Sequence, residues 1–179
     1  MLTRSSELIV RNANYVKKVV FPLETLTWVE MGAAVIHFAI AMLVLSAVLL
    51  LTGKGLSLTI ILLPVLVLPL VLMLIGISLT LAAVGVFFRD LNLVMPPLTT
   101  AILFLSPALY PLEMVPEAFR PWLQLNPITP TIEFVRQAVL HGEGPSMDLF
   151  LAQLAAGALI LMFGHALFMR LRKGFSDCL

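Results

Sequence analysis

Charged residues are scarce in this sequence, and their scarcity indicates the class of protein. Charged side chains make up 12% of the 179 residues, whereas hydrophobic side chains make up 60%. A soluble domain carries about 25% charged residues, so this composition predicts a chain whose apolar surface is covered by a lipid bilayer. The net charge is +1. The chain therefore has no overall basic field, which argues against a nucleic-acid-binding protein.

The sequence also lacks the patterns that would predict catalysis. Cys178 is the only cysteine, which excludes a disulfide within the chain and argues against redox chemistry or a cysteine-based metal site. We find no His-Glu-x-x-His, paired-cysteine, nucleophile-elbow or phosphate-loop pattern. His37 is either a proton relay or, more commonly for such residues, a hydrogen-bond partner of a neighbouring helix. We therefore expect that the chain is not an enzyme and that it binds neither a metal nor a cofactor. The N-terminus lacks the apolar core of a signal peptide, so we expect no cleavage there.

Long apolar runs are what the sequence does contain. A membrane helix needs about 20 residues to cross about 30 Å of hydrocarbon. On this basis we predict four membrane helices, at residues 31–51, 58–88, 97–112 and 149–169. The second is longer than a span needs, and Pro64 and Pro69 predict kinks in it. Pro96 and Pro97 suit the first turn of the third helix.

The remaining segments predict shorter, amphipathic elements. Residues 1–30 are mixed and basic, which favours a segment on the membrane surface. Prolines break residues 113–147 into short helices, one of them begun by Asn126-Pro127 or Thr129-Pro130. Such a region suits a re-entrant or interfacial hairpin, because broken backbone is tolerated at membrane depth only where protein or water satisfies it. The prediction is thus an all-α integral membrane protein, with residues 1–179 forming a single membrane domain.

The distribution of lysine and arginine predicts the orientation of the four spans, since cytoplasmic loops carry more of both. With four spans, both termini and the turn after residue 88 lie on one side. That side holds eight basic residues: Arg4, Arg11, Lys17, Lys18, Arg89, Arg170, Arg172 and Lys173. The other side holds three: Lys54, Arg120 and Arg136. We therefore expect both termini to be cytoplasmic and residues 113–147 to face outward.

A polar turn separates the second and third predicted helices. Arg89 and Asp90 are the only charges between Lys54 and Glu113. In so apolar a stretch, two adjacent charges must reach water or pair inside protein. They either cap the two helix ends, where both charges suit the helix dipoles, or take part in a contact with another protein.

Aromatic and small residues allow two interpretations each. Trp28, Phe104, Tyr110 and Trp122 lie toward the ends of predicted helices, so they either form an interfacial belt or stack on sugar rings. Glycines such as Gly76 and Gly164 let membrane helices approach closely. They serve either packing within one chain or a dimer face.

Several short motifs, taken in order, resemble the permease subunit of the ABC type-2 transporters. The branch that is most similar exports polysaccharide, namely O-antigen, capsule or teichoic acid, and the first motif most resembles the O-antigen exporters. The resemblance covers essentially the whole chain. The motifs are Asn12-Ala-Asn-Tyr-Val-Lys-Lys-Val-Val-Phe-Pro-Leu-Glu24, Phe88-Arg-Asp-Leu91, Leu105-Ser-Pro-Ala-Leu-Tyr-Pro111, Val115-Pro116, Leu125-Asn-Pro127 and Ile132-Glu133.

The resemblance implies a homodimeric pore in the bacterial inner membrane, driven by a separate ABC-type ATPase. The substrate would be a lipid-linked glycan moved outward, and ATP hydrolysis would belong to the partner. By this likeness the outer helices form a gate around the exit. The ATPase-coupling candidates are Asn14, Tyr15, Lys17, Lys18, Arg89 and Asp90, and the candidates along the glycan path are Trp28, Phe104, Tyr110 and Trp122.

The sequence also departs from this family. Its members usually have two more spans and an interface helix before the point that corresponds to Met1, so the resemblance implies an N-terminally truncated chain. Thr27 also stands where the family often has proline before Trp28. The alternative function is accordingly a truncated, non-transporting membrane protein that interacts with other subunits.

Overall fold

The computed structural model describes residues 1–12, 22–51, 61–108, 110, 114–119, 123, 126–142 and 144–175. Every regular element in these ranges is a helix, which confirms the all-α prediction. The α-helices are α1 Leu2–Ser5, α2 Leu8–Arg11, α3 Glu24–Leu51, α4 Leu63–Phe87, α5 Leu91–Phe104, α6 Ile128–Arg136 and α7 Met147–Leu171.

Three of these helices are long and apolar enough to cross a membrane. They are α3, α4 and α7 with its final turn, of 28, 25 and 28 residues. At 1.5 Å per residue they measure about 37 to 42 Å, more than the hydrocarbon thickness. The apolar α5 has 14 residues and measures about 21 Å, which is too short for a full span. The described residues thus hold three full-length candidates and one shorter helix where the sequence predicts four spans.

The first long helix begins earlier than its apolar run. α3 begins at Glu24, whereas the sequence predicts a helix from residue 31. The amide and hydroxyl of Thr25 both donate to the Pro22 carbonyl, at 3.0 and 2.7 Å, and these bonds form the first turn. A carboxylate at Glu24 also suits the positive N-terminal end of the helix dipole. Hydropathy alone locates the part of a helix in lipid, so it misses a polar first turn.

The short helix α5 also begins before its predicted start. It starts at Leu91, and Pro96 and Pro97 lie inside it. The amides of Leu91 and Leu93 donate to the carbonyls of Phe88 and Asp90, at 3.2 and 3.0 Å. The turn therefore winds directly into the helix, and the prolines occupy its second turn.

The chain folds into two compact units. The first unit comprises Met1–Ala34, Val71–Thr100 and Gly157–Leu179, and the second comprises Val35–Leu70 and Ala101–Ala156. The helices α3, α4, α5 and α7 each contribute residues to both units. Each unit has its own buried apolar cluster.

In the first unit, the N-terminal residues pack on α4. The side chains of Leu8 and Ile9 are buried among residues of α4 and α7. The hydroxyls of Ser5 and Ser78 share a hydrogen bond of 2.5 Å. A side chain at Gly85 would collide with the backbone of Ser6. The alternation of polar and apolar residues predicts that residues 1–30 lie on the membrane surface. In the structure, the start of this segment packs against Ser78 and Gly85, two small residues of α4.

Glycines bring α4 and α7 together in the same unit. A Cβ added to Gly76 would lie 2.5 Å from the Ile160 carbonyl oxygen, and one added to Gly164 would collide with the Gly76 carbonyl. Both obstacles are backbone atoms that cannot rotate away. This contact assigns Gly76 and Gly164 to packing within one chain.

The second unit has a core formed by α4, α6 and the turn that follows α6. Phe134, Ala138 and Leu63 are buried there, and Phe150 packs on Phe134 with ring centroids 6.2 Å apart. The π-helical turn Gln137–His141 follows α6 and ends at Gly142, whose φ is 72°. Glycine suits this left-handed position, which commonly ends a helix.

Candidate functional site

The polar turn between α4 and α5 is exposed to solvent. Arg89 and Asp90 are both exposed at the point where α4 has ended and α5 begins. Phe87, at the end of α4, packs its ring against the C-terminal Phe175 with centroids 6.1 Å apart. The other coupling candidates, Asn14, Tyr15, Lys17 and Lys18, lie outside the described residues.

A short 3₁₀ turn, Arg172–Gly174, extends α7 and ends at Phe175. Phe175 is fully buried, and its ring meets that of Phe168 edge to face at 5.6 Å. Arg172 Nη1 lies 3.5 Å from Glu24 Oε2, an ion pair that lacks hydrogen-bond geometry. The end of α7 thus contacts both the first residue of α3 and the last residue of α4.

In the second unit, side chains cap the C-terminal end of α5. Asn126 Nδ2 donates to the carbonyls of Ile102 and Leu105, at 3.2 and 3.4 Å. The Tyr110 hydroxyl donates to the Phe104 carbonyl at 3.1 Å. The last carbonyls of a helix have no partner within it, so these donors satisfy groups that would be costly in an apolar environment.

Arg136 fixes α6 to the chain that follows α5. Its Nη2 donates to the Pro107 carbonyl at 2.7 Å, and its Nη1 donates to Glu133 Oε2 at 3.2 Å. The two side chains are 24% and 34% exposed. A charged donor on a carbonyl makes a stronger bond than a neutral one, so Arg136 is a strong attachment of α6.

Gln153 of α7 holds the other side of α6. Its Nε2 donates to the Pro127 carbonyl at 3.0 Å and to Thr131 Oγ1 at 2.7 Å. Since a carbonyl only accepts, the bond to Pro127 fixes which end of the amide is the nitrogen. The Oε1 of Gln153 is buried and has no hydrogen-bond partner in the described part of the chain. α6 is therefore held by side-chain bonds to carbonyls as well as by the buried Phe134, and the acceptor Gln153 Oε1 is left unsatisfied.

The predicted aromatic candidates have different surroundings. Trp28 and Phe104 are exposed, and Tyr110 lies against the end of α5. Phe104 and Tyr110 belong to the second unit and Trp28 to the first. Trp122 lies outside the described residues. The structure thus places Tyr110 beside the Phe104 backbone.

Sequence reasoning missed the residues with the most informative contacts. Gln153 and Asn126 were not among the candidates, although Gln153 is a polar amide inside a predicted membrane helix, which signals a partner nearby. Glu24 and Phe175 carried no such signal, because their contacts are with residues distant in sequence. In the described ranges, no group of three or more His, Cys, Asp or Glu side chains could hold a metal ion.

Comparison with protein-family models shows which family has this sequence pattern. The model described as ABC-2 type transporter matches residues 1–140. The chain belongs to the ABC-2 type transporter family. This ABC-2 permease is therefore a multi-pass membrane protein, and its family implies an ATPase partner.

A curated relative covers nearly the whole of this ABC-2 permease. The chain is 26% identical over 178 residues to the O-antigen export system permease protein RfbA of Klebsiella pneumoniae. The match spans 99% of this chain and 68% of the relative. Both comparisons agree with the family named from the sequence motifs.

Proposed function

We propose that the chain is the membrane permease subunit of an ABC exporter that moves a lipid-linked polysaccharide of the O-antigen class outward across the inner membrane. A homodimer would form the path, and a separate ATPase would supply the energy. The observation that supports this most is the similarity to an O-antigen export permease over 99% of the chain. With α5 and the segment that follows it as the fourth crossing, the excess of basic residues on one side supports cytoplasmic termini.

In this proposal, force enters at one end of the first unit. Closure of the ATPase dimer would pull on residues 13–21 and on the exposed turn at Arg89 and Asp90. Residues 13–21 lead directly in sequence to Glu24, where α3 begins. A displacement of either segment would therefore act on the ends of α3, α4 or α5, which continue into the membrane part.

The outer helix α6 would gate the exit for the glycan. Besides its buried Phe134, it is attached by single side chains, Asn126, Arg136 and Gln153, that donate to carbonyls. Each such bond contributes about 0.5 to 1.5 kcal/mol net, or about 1.5 to 3 when the donor is charged. Hydrogen bonds of this size can be exchanged during a transport cycle while the apolar contacts of Phe134 keep α6 folded.

Reversing two charges tests the docking role. We expect the double variant Lys17→Glu and Lys18→Glu to lower the ATPase recovered with the tagged permease in detergent by at least about tenfold, or 1.4 kcal/mol. The reason is that two attractive contacts to an acidic ATPase surface become repulsive. The measurement is the molar ratio of ATPase to permease after affinity purification.

Lys54→Glu is the matched control, because it reverses a lysine assigned to the opposite side. Its ratio should equal that of the wild type. The alternative partner of Lys17 and Lys18 is anionic lipid, at about 1 kcal/mol per residue. An unchanged ratio in detergent would favour lipid and refute docking. Because the ATPase is cytoplasmic, the result also tests the assigned orientation.

A further inference from the structure

The C-terminal end of α7 contacts two helix ends that the proposed function places beside the ATPase. Arg172 pairs with Glu24, the first residue of α3. Phe175 packs on Phe87, the last residue of α4, two residues before Arg89. We propose that Arg172 and Phe175 are positioning residues that couple the start of α3 to the Arg89–Asp90 turn, so that both move together when the ATPase closes. This inference rests on the proposed function.

The burial of Phe175 supports a rigid contact. Phe175 is fully buried at the very end of the described chain, beyond three residues that form a polar turn. Its ring contacts Phe168 at 5.6 Å and Phe87 at 6.1 Å. A Cβ added at Gly174 would lie 3.5 Å from the Phe87 ring, so the backbone also follows that ring closely. Close packing on both sides transmits a displacement, because such contacts resist compression.

The ion pair supplies the second connection. Glu24 is only 23% exposed, and Arg172 reaches it from the turn whose end carries Phe175. The two contacts are three residues apart on one short helical turn. A shift of Glu24 would therefore pull on the same turn that packs against Phe87. This turn is therefore a shared contact of the N-terminal end of α3 and the C-terminal end of α4.

The test measures coupling rather than folding alone. Permease and its ATPase are reconstituted together, and lipid-linked glycan moved per ATP hydrolysed is measured. We expect Phe175→Ala to keep the ATPase bound and hydrolysing while glycan moved per ATP falls by at least about fivefold, the lower end of typical coupling between sites. Phe163→Ala is the matched control on α7, since Phe163 is 65% exposed. It should leave the ratio unchanged.

A charge exchange keeps the inference testable if Phe175→Ala fails to fold. Glu24→Arg and Arg172→Glu should each lower the ratio, and the double variant should restore it. A ratio that equals the wild type in Phe175→Ala, or no recovery in the double variant, would overturn the inference. A lower melting temperature with an unchanged ratio would indicate a purely structural role, which also overturns it. If the wild type retains no ATPase, the proposed function itself fails, and the inference falls with it.

Discussion

The Gly164→Leu variant is expected to yield almost no folded, monodisperse protein in detergent. A side chain at this position collides with the carbonyl of Gly76 on α4, which is backbone and cannot rotate away. The helices α4 and α7 would have to separate along their shared contact. Since membrane helices associate through close packing rather than through exclusion of water, the lost contact has no substitute. The measurement is the monodisperse fraction on size-exclusion chromatography.

Smaller substitutions make this prediction quantitative. Gly164→Ala should destabilise the protein by about 1 to 3 kcal/mol, the usual cost of overpacking. Gly32→Ala is the matched control, because nothing lies within 4 Å of a Cβ at Gly32 on α3. It should be neutral or stabilising, as alanine favours helix over glycine by about 1 kcal/mol. Equal melting temperatures for Gly164→Ala and the wild type would contradict the close contact between α4 and α7.

The Arg136→Met variant is expected to destabilise the second unit by about 1.5 to 3 kcal/mol, the contribution of a charged hydrogen bond. The Pro107 carbonyl loses its donor, and Glu133 loses its cation. Methionine keeps most of the apolar length of arginine, so the loss reports on the guanidinium. Thermal unfolding in detergent provides the measurement.

Two further variants separate the loss of the guanidinium from the effect of the unpaired Glu133 and from the general effect of removing an arginine. The double variant Glu133→Gln with Arg136→Met should be more stable than Arg136→Met alone, because no unpaired carboxylate remains. Arg170→Met removes an exposed arginine of α7 and should change stability by no more than about 0.5 kcal/mol. If Arg136→Met melted at the wild-type temperature, the attachment of α6 through Pro107 would be refuted.

Apolar runs in the sequence were sufficient to predict the three long helices, but they did not predict where those helices begin and end. The helices α3 and α7 match their predicted runs in the part that is apolar, because lipid requires an uninterrupted stretch of such residues. Their extra turns at Glu24 and Arg172 are polar, so hydropathy carries no signal for them. α5 was predicted to begin at its prolines, whereas hydrogen bonds after Phe88 begin it at Leu91. Hydrogen bonds within the first turn determine where such a helix begins.

The candidate site was predictable only in part. The exposed turn at Arg89 and Asp90 follows from two charges in an apolar stretch. The contacts of Arg172 with Glu24 and of Gln153 with Pro127 join residues distant in sequence, which periodicity cannot reveal. Lys17 and Lys18 lie outside the described residues, so the roles assigned to them stay predictions.

ATP-dependent movement of a lipid-linked glycan is the most direct test of the proposed exporter. The permease and the ATPase that co-purifies with it are reconstituted in liposomes with a fluorescent, lipid-linked O-antigen-type oligosaccharide. Protection of the glycan from an added glycosidase then reports its transfer to the lumen. Protection that grows with ATP, and that vanishes when the permease is omitted or the ATPase cannot hydrolyse ATP, is the predicted result. A glycan that stays accessible in the complete, hydrolysing complex would contradict the assignment as a polysaccharide exporter.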